Sequence, residues 1–378
     1  MDRNRRIFLR NAARIGLVMA SMPFVTSCGG ITRNNRNMGD GTNMGALQDI
    51  IGPEGVGILR LASLAPSGHN TQPWTVTIID PTHWIIGSDP SRWLQVVDPE
   101  NREMMLSIGA FLENLILAAG YFGYAVNPKI IAETAKSPEI IHITLTKGKE
   151  SQEDGILHAM RARRTVKMGL FTKELASEDF KYITNADSER LYYFPPKSRE
   201  GKYLTEGTLE ANRLQAYRAP AQEELADWIR WSYDDARQHR DGLTPASLDI
   251  TGLVGWYVRT FYDRSNVLTK GFREATMKKV TEQVSNHGGW IVMTSDGTSL
   301  PVLLETGRRF QRMFLQVRER MIGIHPMTQM LEETSSSHQI AQELGVNGTV
   351  QFIVRTGYLK SYPEPVSLRR PVSWFTRS

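Results

Sequence analysis

Two hydrophobic periods alternate along this chain from Ala46 onward. Apolar residues at helical spacing run from Ala46 to Ala65, with Gly52-Pro53 breaking the run, and predict a kinked helix. Val76–Ile79 and Trp84–Ile86 read as strands of a hairpin turning at Asp80-Pro81-Thr82. Asn101 to Phe122 carries Met105, Ile108, Leu112, Leu115, Ile116 and Ala119 at i, i+3, i+4 spacing with few charges, so it predicts a largely buried helix. Ile140–Thr146 reads as a strand, and a charged segment from Lys147 to Asp154 closes this half. A longer second half restates the plan. It has a helix from Gly155 to Arg164, amphipathic helices over Gly207–Arg218 and Ala221–Arg240, and a less regular section to His287. A strand at Trp290–Thr294, a long helix from Leu303 to Gly323 and a last strand at Val350–Arg355 follow. Each half thus has a strand, a turn and a long helix beginning near a glycine, Gly109 in one and Gly307 in the other. Two unrelated α+β segments would show the same periodicity.

The first 45 residues break the pattern, and composition sharpens the reading there. At 378 residues, 40% hydrophobic and 22% charged, the chain is globular in type. Its net charge of +5 is mostly local: residues 1–27 hold Arg3, Arg5, Arg6, Arg10 and Arg14 against Asp2 alone. No basic stripe interleaved with aromatics lies beyond that leader, so no nucleic-acid partner is expected. Asn4-Arg5-Arg6-Ile7-Phe8-Leu9-Arg10 resembles a twin-arginine export signal, and the apolar stretch Ile15–Val25 behind it falls short of the roughly 20 residues that span a bilayer. No other apolar run is expected to reach spanning length. Val25-Thr26-Ser27-Cys28 resembles a lipobox, which implies lipid on Cys28; ordinary signal cleavage beside an incidental cysteine is the alternative. The implied partner is the twin-arginine export machinery, and the implied location is the periplasm or cell envelope. Residues 28–45, rich in Gly, Asn and Thr, read as a tether. Cys28 is the only cysteine, so an intramolecular disulfide or cysteine-based zinc cluster is excluded. The organisation expected is a signal over 1–27, a tether over 28–45, one half over 46–150 and a second over 151–378, with an insertion or lid at about 241–287.

Two polar stretches concentrate chemistry. Where the first helix meets Pro66, the turn Ser67-Gly68-His69-Asn70 leads to Gln72-Pro73-Trp74 and the first strand. Gly68 permits close backbone approach to a ligand, and a polar loop pinned between rigid elements suits a polar-edged cofactor; an ordinary helix-to-strand connection has the same composition. About a hundred residues on, Arg161, Arg163, Arg164 and Lys167 flank Thr165. Cations with a hydroxyl between them suit a phosphate monoester, and a solvated basic helix end is the alternative. Arg369 and Arg370 near the C-terminus offer further cations or a solvated tail.

The string Ala65-Pro66-Ser67-x-x-Asn70-x-Gln72-Pro73-Trp74 resembles the flavin-contacting signature of the nitroreductase family, and Arg163-Arg164-Thr165-Val166-Lys167 resembles its Arg-Arg-Ser-x-Arg phosphate motif. Thr for Ser keeps the hydroxyl; Lys for Arg keeps the charge and loses the bidentate fork. The family's dimer builds each FMN site from both subunits. Here the first half has the Pro-Ser loop without the cationic motif, and the second half the reverse. With Arg308-Arg309-Phe-Gln-Arg312, Gly323-Ile-His-Pro-Met-Thr-Gln329 and Leu368-Arg-Arg-Pro371, the chain is most similar to the Acg-like branch, in which one chain mimics the dimer. The resemblance implies an α+β nitroreductase-like fold of two degenerate halves, a pseudo-dimer acting as a monomer, with one FMN. It implies that Pro66, Ser67, Gly68, Asn70 and Gln72 edge the isoalloxazine and ribityl. Arg163, Arg164, Thr165, Lys167 and Arg369 or Arg370 would hold the phosphate, and Gly323 to Met327, with His325, would sit near the ring. The activity implied is electron transfer through flavin to a small electrophile; the alternative is a flavin-sequestering protein with little or no turnover.

Other chemistry is poorly supplied. His69, His287 and His325 lack carboxylates at metal-ligand spacing, so no metal is expected. No G-x-S-x-G and no strand-following G-x-G-x-x-G is present, which argues against a serine hydrolase and a Rossmann nicotinamide site. Trp256, Tyr257, Phe261 and Tyr262 read equally as a lid or as core. No general acid can be named from the sequence.

Overall fold

The computed structural model describes residues 44–148, 154–184, 189–333 and 337–378. The signal, nearly all of the tether and Cys28 lie outside the described residues. In chain order the elements are α1 (Met44–Ala62), β1 (Trp74–Ile78), β2 (His83–Ser88), α2 (Arg102–Tyr121), β3 (Tyr124–Ile130), β4 (Glu139–Lys147), α3 (Asp154–Ala162), α4 (Ser177–Thr184), β5 (Leu191–Phe194), α5 (Arg199–Tyr217), α6 (Ala219–Asp227) and α7 (Tyr233–His239). They continue as α8 (Gly252–Phe261), α9 (Arg264–Val267), α10 (Lys270–Ser285), β6 (Gly289–Ser295), α11 (Leu300–Gln316), β7 (Ile322–Pro326), α12 (Gln329–Glu333), α13 (Ser337–Leu344), β8 (Thr349–Tyr358), α14 (Val372–Phe375) and β9 (Thr376–Arg377).

Strands and helices segregate into an α+β architecture with two sheets. One has the order β3-β4-β2-β1-β9 and the other β5-β6-β8-β7. All pairings are antiparallel except β1 with β9, where Val76 faces Thr376 and Thr77 faces Arg377. The last strand therefore crosses the expected boundary at residue 150 and completes the edge of the first sheet.

Between the sheets α2 packs along α11. The first core gathers α1, α2 and the first sheet, with Trp74, Trp84, Ile86 and Phe111 fully buried, and takes Leu303 and Leu304 from α11. Further along α11, Phe310, Met313 and Phe314 enter the core of the second sheet. By length and composition α2 could span a membrane, contrary to expectation, yet 78% of its apolar stretch is buried inside the protein. It is a core helix whose neighbours replace lipid.

Elsewhere the pattern and the fold part company. Gly52, with φ 70° and ψ 171°, places the α1 kink where Gly52-Pro53 predicts it. Ala221–Arg240 is two helices, α6 and α7, with Ser232 capping the second through the Asp235 N–H. The stretch 241–287 is mostly helical (α8 to α10). Gly323, expected to end the long helix, lies inside strand β7, because α11 stops at Gln316 and a short 3-10 turn with Met321 at φ 52° reverses the chain.

Candidate functional site

The helix that leads into the Pro-Ser loop ends at Ala62, and the turn N–H groups of Ser63, Leu64 and Ala65 satisfy the carbonyls of Leu59, Leu61 and Ala62. Two arginines from distant segments take the carbonyls of the turn itself. Arg163 donates to the Leu64 carbonyl at 2.9 Å, and Arg369 donates to those of Leu64 and Ala65, both at 3.1 Å. A cation at a helix C-terminus also complements its dipole. These bonds draw the cationic segment and the C-terminal segment against the loop.

The result is one cleft of about 270 Å³ with Pro66, Ser67, Gly68, His69 and Asn70 on one wall. Arg163, Arg164, Thr165, Lys167 and Arg369 line it too, as do His325 and Pro326 at the end of β7. Residues some three hundred positions apart share one surface. Leu106, Ala110, Phe310 and Phe352 supply apolar lining from α2, α11 and β8.

The loop is held in an unusual backbone. His69, Asn70 and Gln72 all have positive φ, at 45°, 56° and 53°. Such values are costly for side-chain-bearing residues and persist only where surroundings enforce them. The Ser67 hydroxyl accepts from the Gln72 N–H at 2.9 Å. Asn70 exchanges bonds with Gly242, through its side-chain amide at 3.1 Å and its carbonyl at 3.1 Å. Its side-chain oxygen accepts from Arg369 at 2.8 Å.

Three expected site residues lie elsewhere. Gln72 is fully buried, donates to the Arg240 carbonyl at 3.0 Å, and accepts from the Arg370 N–H at 2.9 Å. The Arg370 guanidinium binds the carbonyls of Gln72 and Trp74 and stacks over Phe375, so it secures the chain end and not the cleft. Gly323 sits behind the wall, where an added Cβ would meet Leu170 at 2.7 Å, and it serves packing. Among the described residues no cluster with metal-ligand composition occurs.

Electrostatics divide the cleft into two ends. At the cationic end, burial lowers Lys167 to about 8, with Asp249 offsetting only part of the penalty. Burial likewise lowers Arg163 to about 10, its guanidinium lying 4.6 Å above the Phe314 ring. Arg164 is committed to Asp249 at 2.6 Å and to the Glu364 carbonyl. His325 is pushed well below its usual value, first by burial and then by the charge of Arg355. A buried cation whose charge is disfavoured gains most from an anion, so this end fits a phosphate.

The opposite end went unread in the sequence. Glu103, from the first turn of α2, and Thr328 and Glu332, from the turn into α12 and its last residues, line it with Ser107. Their spacing alone carried no signal: Glu103 looks like an ordinary charge favouring a helix N-terminus, and Glu332 lies in a short polar helix. His69, acted on by both Glu103 and Lys167, is lowered to about 4 chiefly by burial, and its buried Nδ1 has no hydrogen-bond partner among the described residues.

The aromatics of the insertion are neither lid nor uniform core. Trp256 and Phe261 are 60% and 58% exposed and do not line the cleft, while Tyr262 packs edge-on against buried Trp231. From the insertion only Leu243 and Ser247 reach the cleft wall.

No family model matches the chain. Sequence relatives do, and they agree in name. Over 328 residues the chain is 24% identical to "Putative NAD(P)H nitroreductase acg" of Mycobacterium tuberculosis, covering 83% of this chain and 92% of that one. The chain is similar to nitroreductases. "Probable NAD(P)H nitroreductase PigM" of a Serratia species is 22% identical over 311 residues, covering 79% of this chain and 86% of that one. A further M. tuberculosis protein with the name "Putative NAD(P)H nitroreductase" is 40% identical over 67 residues, which is 18% of this chain and only 19% of that relative. Among solved structures, the FMN-dependent nitroreductase NfnB of Mycobacterium smegmatis shares 12% identity at a TM-score of 0.34, covering 60% of this chain and 99% of that one.

Proposed function

We propose that this protein is an FMN-binding, nitroreductase-like oxidoreductase that passes electrons to a small electrophile. The observation that carries the reading is the single cleft joining the Pro66–Asn70 loop to Arg163–Lys167 and Arg369. Names of relatives over four fifths of the chain point the same way.

In this reading Lys167 and Arg163 hold the phosphate, with the Thr165 hydroxyl as donor and Arg164 and Arg369 at the margin. The Ser67-Gly68 backbone edges the ring system, and Leu106, Ala110 and Phe352 exclude water from one face. FMN, when bound, supplies the two-electron chemistry; the protein supplies position and electrostatics. The insertion gives only Leu243 and Ser247 to the cleft wall, and its exposed aromatics do not cover it. That favours turnover over sequestration.

The pseudo-dimer reading makes the active form a monomer, with the α2–α11 contact standing in for a subunit interface. Export by the twin-arginine route, with lipid on Cys28, would carry the folded and loaded protein to the cell envelope. There the reductant is a quinol or protein donor, since nicotinamide nucleotides are scarce outside the cytoplasm.

Equilibrium titration of the purified chain with FMN, followed by flavin fluorescence, tests the reading. Saturable binding, then bleaching by a donor and recovery with an electrophile in stopped flow, is expected. A colourless protein that cannot be reconstituted sinks it, and bound FMN that no donor reduces leaves sequestration.

A further inference from the structure

At the end of the cleft away from the cations, two carboxyl groups share one hydroxyl. Thr328 Oγ1 lies 3.0 Å from Glu103 Oε1 and 3.3 Å from Glu332 Oε1. A threonine hydroxyl has one proton. If it donates to one carboxyl, the other contact is a hydrogen bond only when that carboxyl holds a proton and donates to Thr328. The arrangement is therefore complete with one proton between the two acids. Glu103 is the member with a counter-ion, since Arg102 pairs with it at 2.9 Å. Among the described residues Glu332 has none in contact; its Oε2 accepts from neutral Gln215 at 2.6 Å.

We infer that Glu332 is the proton donor of this site, delivering its proton to the oxygen of a small oxygen-bearing electrophile of the quinone class, with its burial beside Glu103 holding the acid in its protonated form. The inference rests on the flavin reading above. Arg102 also acts on Glu332 and opposes Glu103, with the smaller influence of the two. The adjacent Glu333 is paired with Arg218, and Asp98, beside Glu103 in the loop before α2, is itself raised to about 7 by burial and by the Glu103 charge. Burial and then the Glu103 charge push Glu332 well above the ordinary carboxyl range. A carboxyl kept protonated near neutral pH meets the requirement for general acid catalysis.

The step balances. A quinone carbonyl accepts a hydride equivalent from the reduced flavin and one proton from Glu332, giving the hydroquinone, oxidised flavin and the Glu332 carboxylate. Solvent then reprotonates Glu332.

Two readouts test the inference on the full-length purified protein. Infrared spectra near neutral pH should show the carbonyl band of a protonated carboxyl that E332Q removes in part; an identical spectrum in E332Q overturns the assignment. FMN-loaded protein, reduced with dithionite and mixed with benzoquinone, should reoxidise about a hundredfold more slowly in E332Q, the lower range for loss of a general acid. FMN affinity should not change. Equal reoxidation rates in E332Q and the parent overturn the inference while leaving the flavin reading intact. If the parent binds no FMN, the proposed function fails first and the inference falls with it. Should E332Q fold poorly, E103Q removes the charge that disfavours the Glu332 carboxylate. It should shift the pH midpoint of reoxidation downward, and an unmoved midpoint overturns the coupling of the two acids.

Discussion

Gly109 and Gly307 meet at the crossing of α2 and α11. A Cβ on Gly109 would lie 2.1 Å from the Leu304 carbonyl oxygen, and a Cβ on Gly307 would lie 2.1 Å from that of Leu106. Each glycine thus receives the backbone three residues before the other, the reciprocity of an isologous contact. The flanking polar pairs join the same helices: Glu113 accepts from Arg308 at 2.8 Å and Arg312 at 3.0 Å, and Gln311 donates to Asn114 at 2.7 Å. The clashing atoms are backbone, so neither helix can yield locally. G109A and G307A should each lower stability by about 1–3 kcal/mol, the usual cost of overpacking. Urea unfolding of the purified variants measures this, and an unmoved midpoint would mean the helices can slide apart freely.

Lys167 should contribute more to ligand affinity than Arg164, although both belong to the same motif. Arg164 already has Asp249 and a carbonyl, whereas the charge on Lys167 is held down by burial. Lys167→Ala should weaken FMN binding by about 1.5–3 kcal/mol, the worth of a hydrogen bond to a charged group, and Arg164→Ala by less. The pH dependence follows from the same shift. Free Lys167 titrates at about 8, and a bound phosphate raises it, so affinity is full below that value and declines as pH rises above it. Fluorescence titrations across that range check both statements, and equal losses in the two variants would reassign the phosphate.

His69 provides a second pH signature, in stability. Its folded value of about 4 lies below the unfolded value of 6.5, so the unfolded chain takes up its proton first as pH falls. Its contribution is therefore complete above 6.5 and is lost between 6.5 and about 4. Asp98, raised to about 7, works in the opposite sense over an overlapping range, because there the folded chain binds the proton first. The difference between parent and His69→Gln isolates the histidine. Stability curves of the two proteins should converge as pH falls through that window, and parallel curves would remove His69 from the account.

Much of this was legible in the chain because it depends on local period. The kink at Gly52, the hairpin turning at Asp80-Pro81-Thr82 and the buried helix at Met105 to Ala119 are all local patterns, and the structure places each there. The proximity of Pro66–Asn70 to Arg163–Lys167 came from resemblance and is now seen as a shared cleft. What was missed depends on long-range contacts. Strand β3 contains Pro128 and no fully buried residue, so it lacks a strand signature; its pairing with β4 makes it one. Gln72 and Arg370 were placed at the ligand by the family resemblance, yet each is engaged with backbone groups more than 290 residues away in sequence. The acid end of the cleft needs Glu103 beside Glu332, and no spacing in the chain reports that.

The C-terminal residues supply the last expectation. They read as a tail, but Phe375 is 2% exposed, lies edge-on to Phe111 at 6.3 Å, and is stacked under Arg370. Beyond it β9 pairs with β1, the strand that follows directly from the Pro-Ser loop. Phe375→Ala should therefore cost about 3–5 kcal/mol, the range for truncating a buried phenylalanine. Arg370→Met should cost about 1–3 kcal/mol by leaving the Gln72 and Trp74 carbonyls without their partner. Neither side chain lines the cleft, so folded fractions of both variants should keep the parent's FMN affinity. Arg369→Met differs, since Arg369 does line the cleft and binds Asn70; it should lose stability and affinity together. Unfolding curves paired with FMN titration separate the two arginines. Loss of affinity in Arg370→Met at full folded fraction would return that residue to the binding site.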